Sequence, residues 1–229
     1  VDNIVAGIYE AWNLIITFDR ELYGIIGLTL VVTIMSTLIS ALIGVPLGLA
    51  AGSSDFKGKR ILFRVVHTLM SLPPVVAGLL VFLTLSRRGP LGSLMLLFTP
   101  TAMIIAQVII ITPIVLGLAE AAVKAKSKAV YETCAGLRLK RSQILRLLFH
   151  ECRYPLISII VAAYGRAVSE VGAVMLVGGN IQHHTRVMTT AIVLETGKGN
   201  FDTSLALGII LLAISFLINS FIWKFQEVS

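Results

Sequence analysis

KAKSKAVYETCAGLRLKRSQILRLLFHECRYP, residues 124–155, is a long basic, helix-forming interruption in a chain that is otherwise membrane-like. It separates three apolar runs from two. A loop this rich in Lys and Arg resists translocation and is costly in lipid, so it belongs on the cytoplasmic side of a bilayer. That placement orients every run on either side of it.

The composition agrees. Of 229 residues, 56% are hydrophobic and 14% charged, far from the balance of an ordinary soluble domain. A net charge of +7 would suggest nucleic-acid binding in a soluble protein. Here the basic residues gather in a few connections between apolar runs, the pattern of the positive-inside rule. Cys134 and Cys152 have no framework or metal-ligand spacing, so reduced thiols are expected. Val1 opens without a cleavable signal pattern, and the first apolar helix is expected to direct insertion.

Read in order, Ile4–Phe18 is apolar but broken by Glu10 and shorter than the roughly 20 residues of a spanning helix. With Tyr9, Trp12 and Phe18 it reads as an interfacial arm, with a tilted extra span as the alternative. Leu22–Ser54 carries no charge and forms the first span, bent or thinned near Gly44 and Pro46. The basic connection Asp55–Arg64 should lie inside. Val65–Leu85 is the second span, interrupted by Pro73 and Pro74, which remove two backbone donors and force a break. Leu94–Ala119 is the third, with Gln107, Thr112 and Pro113 inside it. The fourth begins after Ser142, is kinked at Pro155 and ends near Val177. The stretch Gly178–Phe201 mixes polar and apolar residues and could enter the membrane without crossing it. Thr203–Trp223 is the fifth span.

Lys and Arg concentrate in Asp55–Arg64 and Lys124–Arg146, against Arg20, Arg87, Arg88, Arg186 and Lys198 on the other side. This asymmetry predicts an outer amino terminus and a cytoplasmic carboxyl terminus. The whole chain, 1–229, reads as one transmembrane domain with a cytoplasmic loop at about 124–153. It contains no GxxxxGK[ST] phosphate loop, HExxH pair or GxSxG elbow. Any ATP chemistry must come from another chain.

Within the basic loop, Lys128–Leu137 forms an amphipathic helix with Val130, Cys134 and Leu137 on one face, stopped at Gly136. A second helix starts near Ser142. The loop is either a solvated surface facing anionic lipid or a docking helix for a cytoplasmic partner. Arg166 and Glu170 are one helical turn apart in the fourth span, where charges must pair or face water. They are either a structural pair or positive charge along an anion path tempered by a carboxylate. His183 and His184 read as ordinary loop residues, since a vicinal pair alone is poor metal geometry. Pro73 and Pro74 shape the broken helix, and Val75, Val76 and Leu80 could narrow a path beside it. Gly172, Gly178 and Gly179 permit close helix approach.

Glu132, Thr133 and Cys134, followed by Arg138, Leu148 and Glu151, resemble the EAA loop of bacterial ABC importer permeases. Glu132 stands on the family's Glu. Thr133 and Cys134 replace its two Ala, Arg138 its Gly and Glu151 its Pro, with Gly136 and Pro155 nearby. Three further stretches resemble the molybdate and tungstate permeases of this class: LPPVVAGLLVFLTLSRRGPLG (72–92), GRAVSEVGAVMLVGGNI (165–181) and TRVMTTAIVLETGKG (185–199). His183, His184 and the segment after them look more like the tungstate type.

The resemblance implies an all-α integral membrane protein with the type I ABC importer permease fold: about five transmembrane helices, an N-terminal interfacial helix and a cytoplasmic coupling helix. It implies a homodimer, two ATP-binding cassette subunits that hold ATP and Mg, and a periplasmic or lipid-tethered oxyanion-binding protein. No cofactor is expected in this chain. The coupling surface would be Val130, Tyr131, Glu132, Thr133, Cys134, Ala135, Gly136, Leu137 and Arg138. The translocation path or gate would draw on Pro73, Pro74, Val75, Val76, Arg166, Glu170, Gly172, Asn180 and Thr185. Sulfate or phosphate permeases are the neighbouring readings. A secondary transporter would need its own coupling carboxylates and repeat symmetry, and Glu170 is the one clear intramembrane acid.

Overall fold

Asp19 opens the first long helix: its Oδ1 accepts the Leu22 N–H at 2.8 Å, and Glu21 adds negative charge to the first turn. The computed structural model describes residues 2–17, 19–134 and 140–227. Its helices are α1 (Asp2–Ile16), α2 (Arg20–Gly52), α3 (Lys59–Met70), α4 (Pro74–Leu85), α5 (Pro100–Cys134), α6 (Arg141–Glu151), α7 (Arg153–Val168), α8 (Gly172–Gly178), α9 (Met188–Lys198) and α10 (Phe201–Glu227). A 3₁₀ turn occupies Gly92–Leu94.

Among the described residues, three helices are long and apolar enough to cross a membrane: α2, α5 and the Phe201–Phe221 part of α10. Two broken pairs, α3 with α4 and α7 with α8, raise the number to five if each pair is one span. The expected count of about five spans falls at the upper end of this range, with the second and fourth expected spans each bent, by 98° and 57°. The 15 residues of α1 reach about 22 Å at helical rise, short of a hydrocarbon core of about 30 Å.

The details depart from the sequence reading in three places. The third span starts at Pro100 rather than Leu94, because Thr99 Oγ1 caps the Ala102 N–H at 3.3 Å and proline suits the first helical position. It then runs on through Lys124, Lys126 and Lys128 to Cys134, so the amphipathic helix expected from Lys128 is the end of α5. No Gly or Pro interrupts that stretch, and its Ala, Lys and Glu are good helix formers. The break expected at Pro155 lies at Cys152; Pro155 occupies the first turn of α7, where a missing N–H costs no helical bond.

The chain divides into two compact units. The first comprises Val1–Met35, Pro73–Gln107 and Gly165–Ser229. Its core joins Ala11, Leu22, Ile25, Met188, Ala191, Ala206, Leu207 and Ile210. Here α1 lies against α10: a Cβ on Gly7 would come within 2.7 Å of Leu205 Cδ2. Its Val5, Ile8, Tyr9 and Trp12 remain exposed, as an apolar face in contact with lipid requires. The buried threonines of α2 satisfy themselves, Thr29 Oγ1 donating to the Ile25 carbonyl at 2.6 Å and Thr33 Oγ1 to that of Thr29 at 2.7 Å.

The second unit comprises Ser36–Leu72 and Val108–Tyr164. Gly44, Gly48 and Gly52 recur every fourth residue of α2 and face Val115, Ala119, Glu120 and Val123 of α5. A Cβ on Gly48 would sit 2.6 Å from that of Ala119 and 2.9 Å from the Leu116 carbonyl oxygen. Small residues let the two backbones close, which supplies the dispersion contacts that hold helices together in lipid. Thr112 Oγ1 donates to Ser40 Oγ at 3.2 Å across the same pair. Pro46 is accommodated inside α2.

Candidate functional site

The residues expected on a translocation path fall in the first unit, around the α4–α8 contact. Pro73 and Pro74 set the start of α4. Pro73 has φ −59° and ψ 127°, outside the helix, and Pro74 takes the first helical position. The Pro73 carbonyl accepts the N–H groups of Val76 at 2.9 Å and Ala77 at 3.2 Å. The helix then buries Ala77, Gly78, Val81 and Leu85. A Cβ on Gly78 would lie 2.6 Å from Ala173 Cα, so α4 meets α8 backbone against backbone. Gly172 makes room for Val75, whose Cγ2 would be 2.8 Å from an added Cβ. The opposite face of α4 exposes Val75, Val76, Leu79, Leu80 and Leu83.

Arg166 and Glu170 meet: Arg166 Nη1 donates to Glu170 Oε2 at 2.7 Å. They do so across the end of α7, since Glu170 lies in the break before α8. Glu170 is 3% exposed and fully engaged. Its Oε1 accepts the Ala173 N–H at 3.1 Å, and its backbone carbonyl accepts Thr189 Oγ1 at 3.1 Å. Nearby, Gln107 Nε2 donates to the Ala167 carbonyl at 3.0 Å. Glu170 therefore joins three segments: its carboxylate ties the end of α7 to the start of α8, and its backbone carbonyl holds the start of α9. The Arg166 side chain is 33% exposed, so its guanidinium keeps a face open beside the pair.

Thr185 and Asn180 shape the turn after α8. Thr185 Oγ1 donates to the Gly178 carbonyl at 2.5 Å and accepts the Ile181 N–H at 3.0 Å. Gly179 and Asn180 have φ of 71° and 50°, values that favour Gly and Asn. Asn180 Nδ2 reaches the Thr190 carbonyl at 3.4 Å, while its buried Oδ1 has no partner among the described residues. The turn leads to His183 and His184, which line a cavity of about 660 Å³ with Asp19, Arg20, Glu21 and Arg186. At its wall Glu21 accepts Gln182 Nε2 at 2.9 Å and Arg186 Nη1 at 3.0 Å. Among the described residues no group of three or more His, Cys, Asp and Glu is placed to hold a metal.

Of the residues expected on the coupling surface, Val130, Tyr131, Glu132, Thr133 and Cys134 fall in the second unit. Val130 and Cys134 are buried on one face of α5, as their spacing predicts, while Tyr131, Glu132 and Thr133 are exposed. Ala135, Gly136, Leu137 and Arg138 lie outside the described residues. Tyr131 Oη donates to the Ser53 carbonyl at 2.6 Å, and Lys126 Nζ to that of Glu151 at 2.7 Å. Cys134 and Cys152 are buried free thiols. Burial pushes the Cys152 thiol up, against the pull of Lys126.

One centre escaped the sequence reading. Lys59 Nζ donates to the carbonyls of Ala51 at 2.6 Å and Ser54 at 3.0 Å and pairs with Glu120 at 3.3 Å. Its side chain is 14% exposed and that of Glu120 9%. A glutamate at the end of an apolar run, with a lysine in the connection before the next, was the available signal.

The family described as binding-protein-dependent transport system inner membrane component matches residues 44–224. The tungstate uptake system permease protein TupB of Peptoclostridium acidaminophilum is 43% identical, over 99% of this chain and 100% of that one. TupB of Campylobacter jejuni is 38% identical, over 99% and 95%. The sulfate transport system permease protein CysW of Synechocystis is 26% identical, over 83% and 71%. Among solved structures, a chain of a bacterial alginate ABC transporter in complex with alginate pentasaccharide-bound periplasmic protein superposes with TM-score 0.74. It is 19% identical, over 91% of this chain and 80% of that one, a likeness of fold. With the matched family covering most of its length and two relatives matching it nearly end to end, the chain belongs to the binding-protein-dependent transport system inner membrane components, permease subunits with the type I ABC importer fold.

Proposed function

We propose that this chain is the membrane permease of an ATP-driven tungstate importer. The observation that carries the reading is the near end-to-end similarity to two tungstate permeases, at 43% and 38% identity, against 26% for a sulfate permease. The permease works as a homodimer. The exposed Val75, Val76, Leu79, Leu80 and Leu83 face of α4 supports this, since a second copy placed against it would enclose an apolar constriction. Arg166 stands beside that helix pair as the partly open positive charge.

Two ATP-binding cassette subunits, which bind ATP and Mg, dock on the Val130–Arg138 segment, where Glu132 and Thr133 are exposed. A periplasmic or lipid-tethered binding protein delivers the anion. The amino terminus is outside and the carboxyl terminus cytoplasmic, on the charge asymmetry of the connections. Closure of the cassettes draws the coupling segments together, and rocking of the spans opens the path to each side in turn. The permease itself makes and breaks no covalent bond. Uptake in a strain lacking this chain, complemented with it and challenged with tungstate, molybdate and sulfate in competition, tests the reading. Tungstate uptake restored and resistant to excess sulfate supports it; restoration of sulfate uptake alone overturns it.

A further inference from the structure

The connection between α2 and α3 encloses a cavity of about 510 Å³ lined by Asp55, Phe56, Lys59, Arg60, Phe63, Arg64, His67, Glu120 and Lys124. Its cations are not equivalent. Lys59 is consumed by the Ala51 and Ser54 carbonyls and by Glu120. Arg60, Arg64 and Lys124 form no ion pair among the described residues. With Glu120 neutralised by Lys59 and Asp55 fully exposed at 3.7 Å from the same lysine, three unpaired positive charges converge on one cavity.

Its surroundings select the ligand. The cavity lies between the end of α2, at Gly52, and the start of α3, at Lys59, two helices counted among the candidate spans, and a basic connection of this kind belongs at head-group level on the cytoplasmic side. Arg60, Phe63, Arg64 and His67 recur at helical spacing and form the cavity face of α3. Ile61, Val65 and Leu69, on the stripe beside Arg60 and Arg64, are apolar and exposed. Phe56, also exposed, stands at the cavity wall. Cations inside and an apolar ramp outside match an amphiphile with an anionic head and hydrocarbon tails.

We propose that this cavity is a binding site for the phosphate of an anionic phospholipid, with Arg60 and Arg64 on the phosphate, Lys124 closing over it from α5, and the acyl chains running along Ile61, Val65 and Leu69. Basic pockets at the ends of transmembrane helices take such head groups through charge and hydrogen bonds together. The site is independent of which anion the transporter carries. Occupied, it would tie α3 to the end of α5, next to the segment that ends at Cys134.

The test is lipid retention by the full chain, reconstituted in nanodiscs containing phosphatidylcholine with an equal share of phosphatidylglycerol and read by native mass spectrometry. The expected result is enrichment of the anionic lipid on the wild-type protein, about fivefold for each arginine engaged, falling to parity in the Arg60→Gln/Arg64→Gln variant. Lys124→Gln, on a different helix, should give an intermediate loss, and Lys57→Gln, which does not line the cavity, none. Unchanged thermal midpoints identify the substituted proteins as folded. Equal retention of both lipids by the wild type overturns the proposal, as does enrichment that survives the double substitution. Saturation by inorganic phosphate without any lipid preference would assign the cations to a free anion and overturn it as well.

Discussion

Tyr131 Oη donates to the Ser53 carbonyl at 2.6 Å, joining the exposed end of α5 to the residue that follows α2. Ser53 directly follows this 33-residue helix, and its carbonyl, like those of the last helical turn, has no intrahelical donor. The bond therefore does local work and also links the proposed docking segment to the first span. Tyr131→Phe keeps the ring and loses the bond, at a cost of about 1 kcal/mol. The expected outcome is an intact permease that still co-purifies with its ATPase and transports several-fold more slowly per ATP hydrolysed. Measuring transport and hydrolysis on the same proteoliposomes checks it; an unchanged ratio removes Tyr131 from the coupling route.

Lys59 and Glu120 form a second fastening. Both side chains are largely buried, and the lysine also caps α2 through Ala51 and Ser54. Breaking a buried pair from one side leaves the other charge uncompensated, typically at about 3–5 kcal/mol. Lys59→Met should therefore destabilise strongly. Lys59→Met/Glu120→Leu should recover part of the loss, because the isolated charge is gone while the two helix-end carbonyls remain uncapped. Thermal unfolding of the detergent-solubilised single and double variants measures the difference, and a double variant no more stable than Lys59→Met would assign the whole effect to the caps.

Glu195 gives a pH dependence. The side-chain hydrogen bond from Lys198, at 2.7 Å, and that from Asn200, also at 2.7 Å, hold its carboxyl below the usual glutamate value of 4.5. A group whose folded value is depressed contributes stability above its unfolded value and loses it as pH falls through the folded one. Stability should thus decline below about pH 4.5 through this site. Glu195→Gln should flatten that part of the curve by lowering stability at neutral pH while leaving the acid end little changed, as unfolding midpoints between pH 3 and 7 would record.

The spans were legible because each is a long apolar run, and the break near Pro73 because two prolines interrupt the run, whereas the break between α7 and α8 was not foreseen. Other features were not. Composition ended the third span at Ala119 and gave Lys128–Leu137 a helix of its own, yet good helix formers continue a helix already nucleated, and α5 runs on to Cys134. Pro155 reads as a breaker, although in a first turn it breaks nothing. The polar stretch after α8 hides α9, whose Met188, Thr189, Thr190 and Ala191 are buried by packing that no local pattern displays. Lys59 with Glu120, and Tyr131 with Ser53, are far apart in the chain, and spacing carries no information about which cation meets which acid.

Arg166 and Glu170 were found by spacing, and the geometry separates their duties. Both oxygens of Glu170 are engaged, one by Arg166 and one by the Ala173 N–H, and its backbone carbonyl holds Thr189. Glu170→Ala would remove all but the backbone contact, leaving the buried Ala173 N–H without its acceptor and the one-third exposed Arg166 without its partner, a loss of about 1–3 kcal/mol for each. No assembled permease is expected from that variant. Arg166→Lys preserves the charge and, through a flexible side chain, a single bond to Glu170, so assembly should persist. What changes is the fixed, planar donor set that Arg166 presents on its open side, and an anion passing there would feel the difference. Arg166→Lys should therefore assemble normally and alter tungstate-stimulated transport several-fold, measured as uptake per assembled complex. Wild-type uptake from that variant would confine the arginine to its role in the pair.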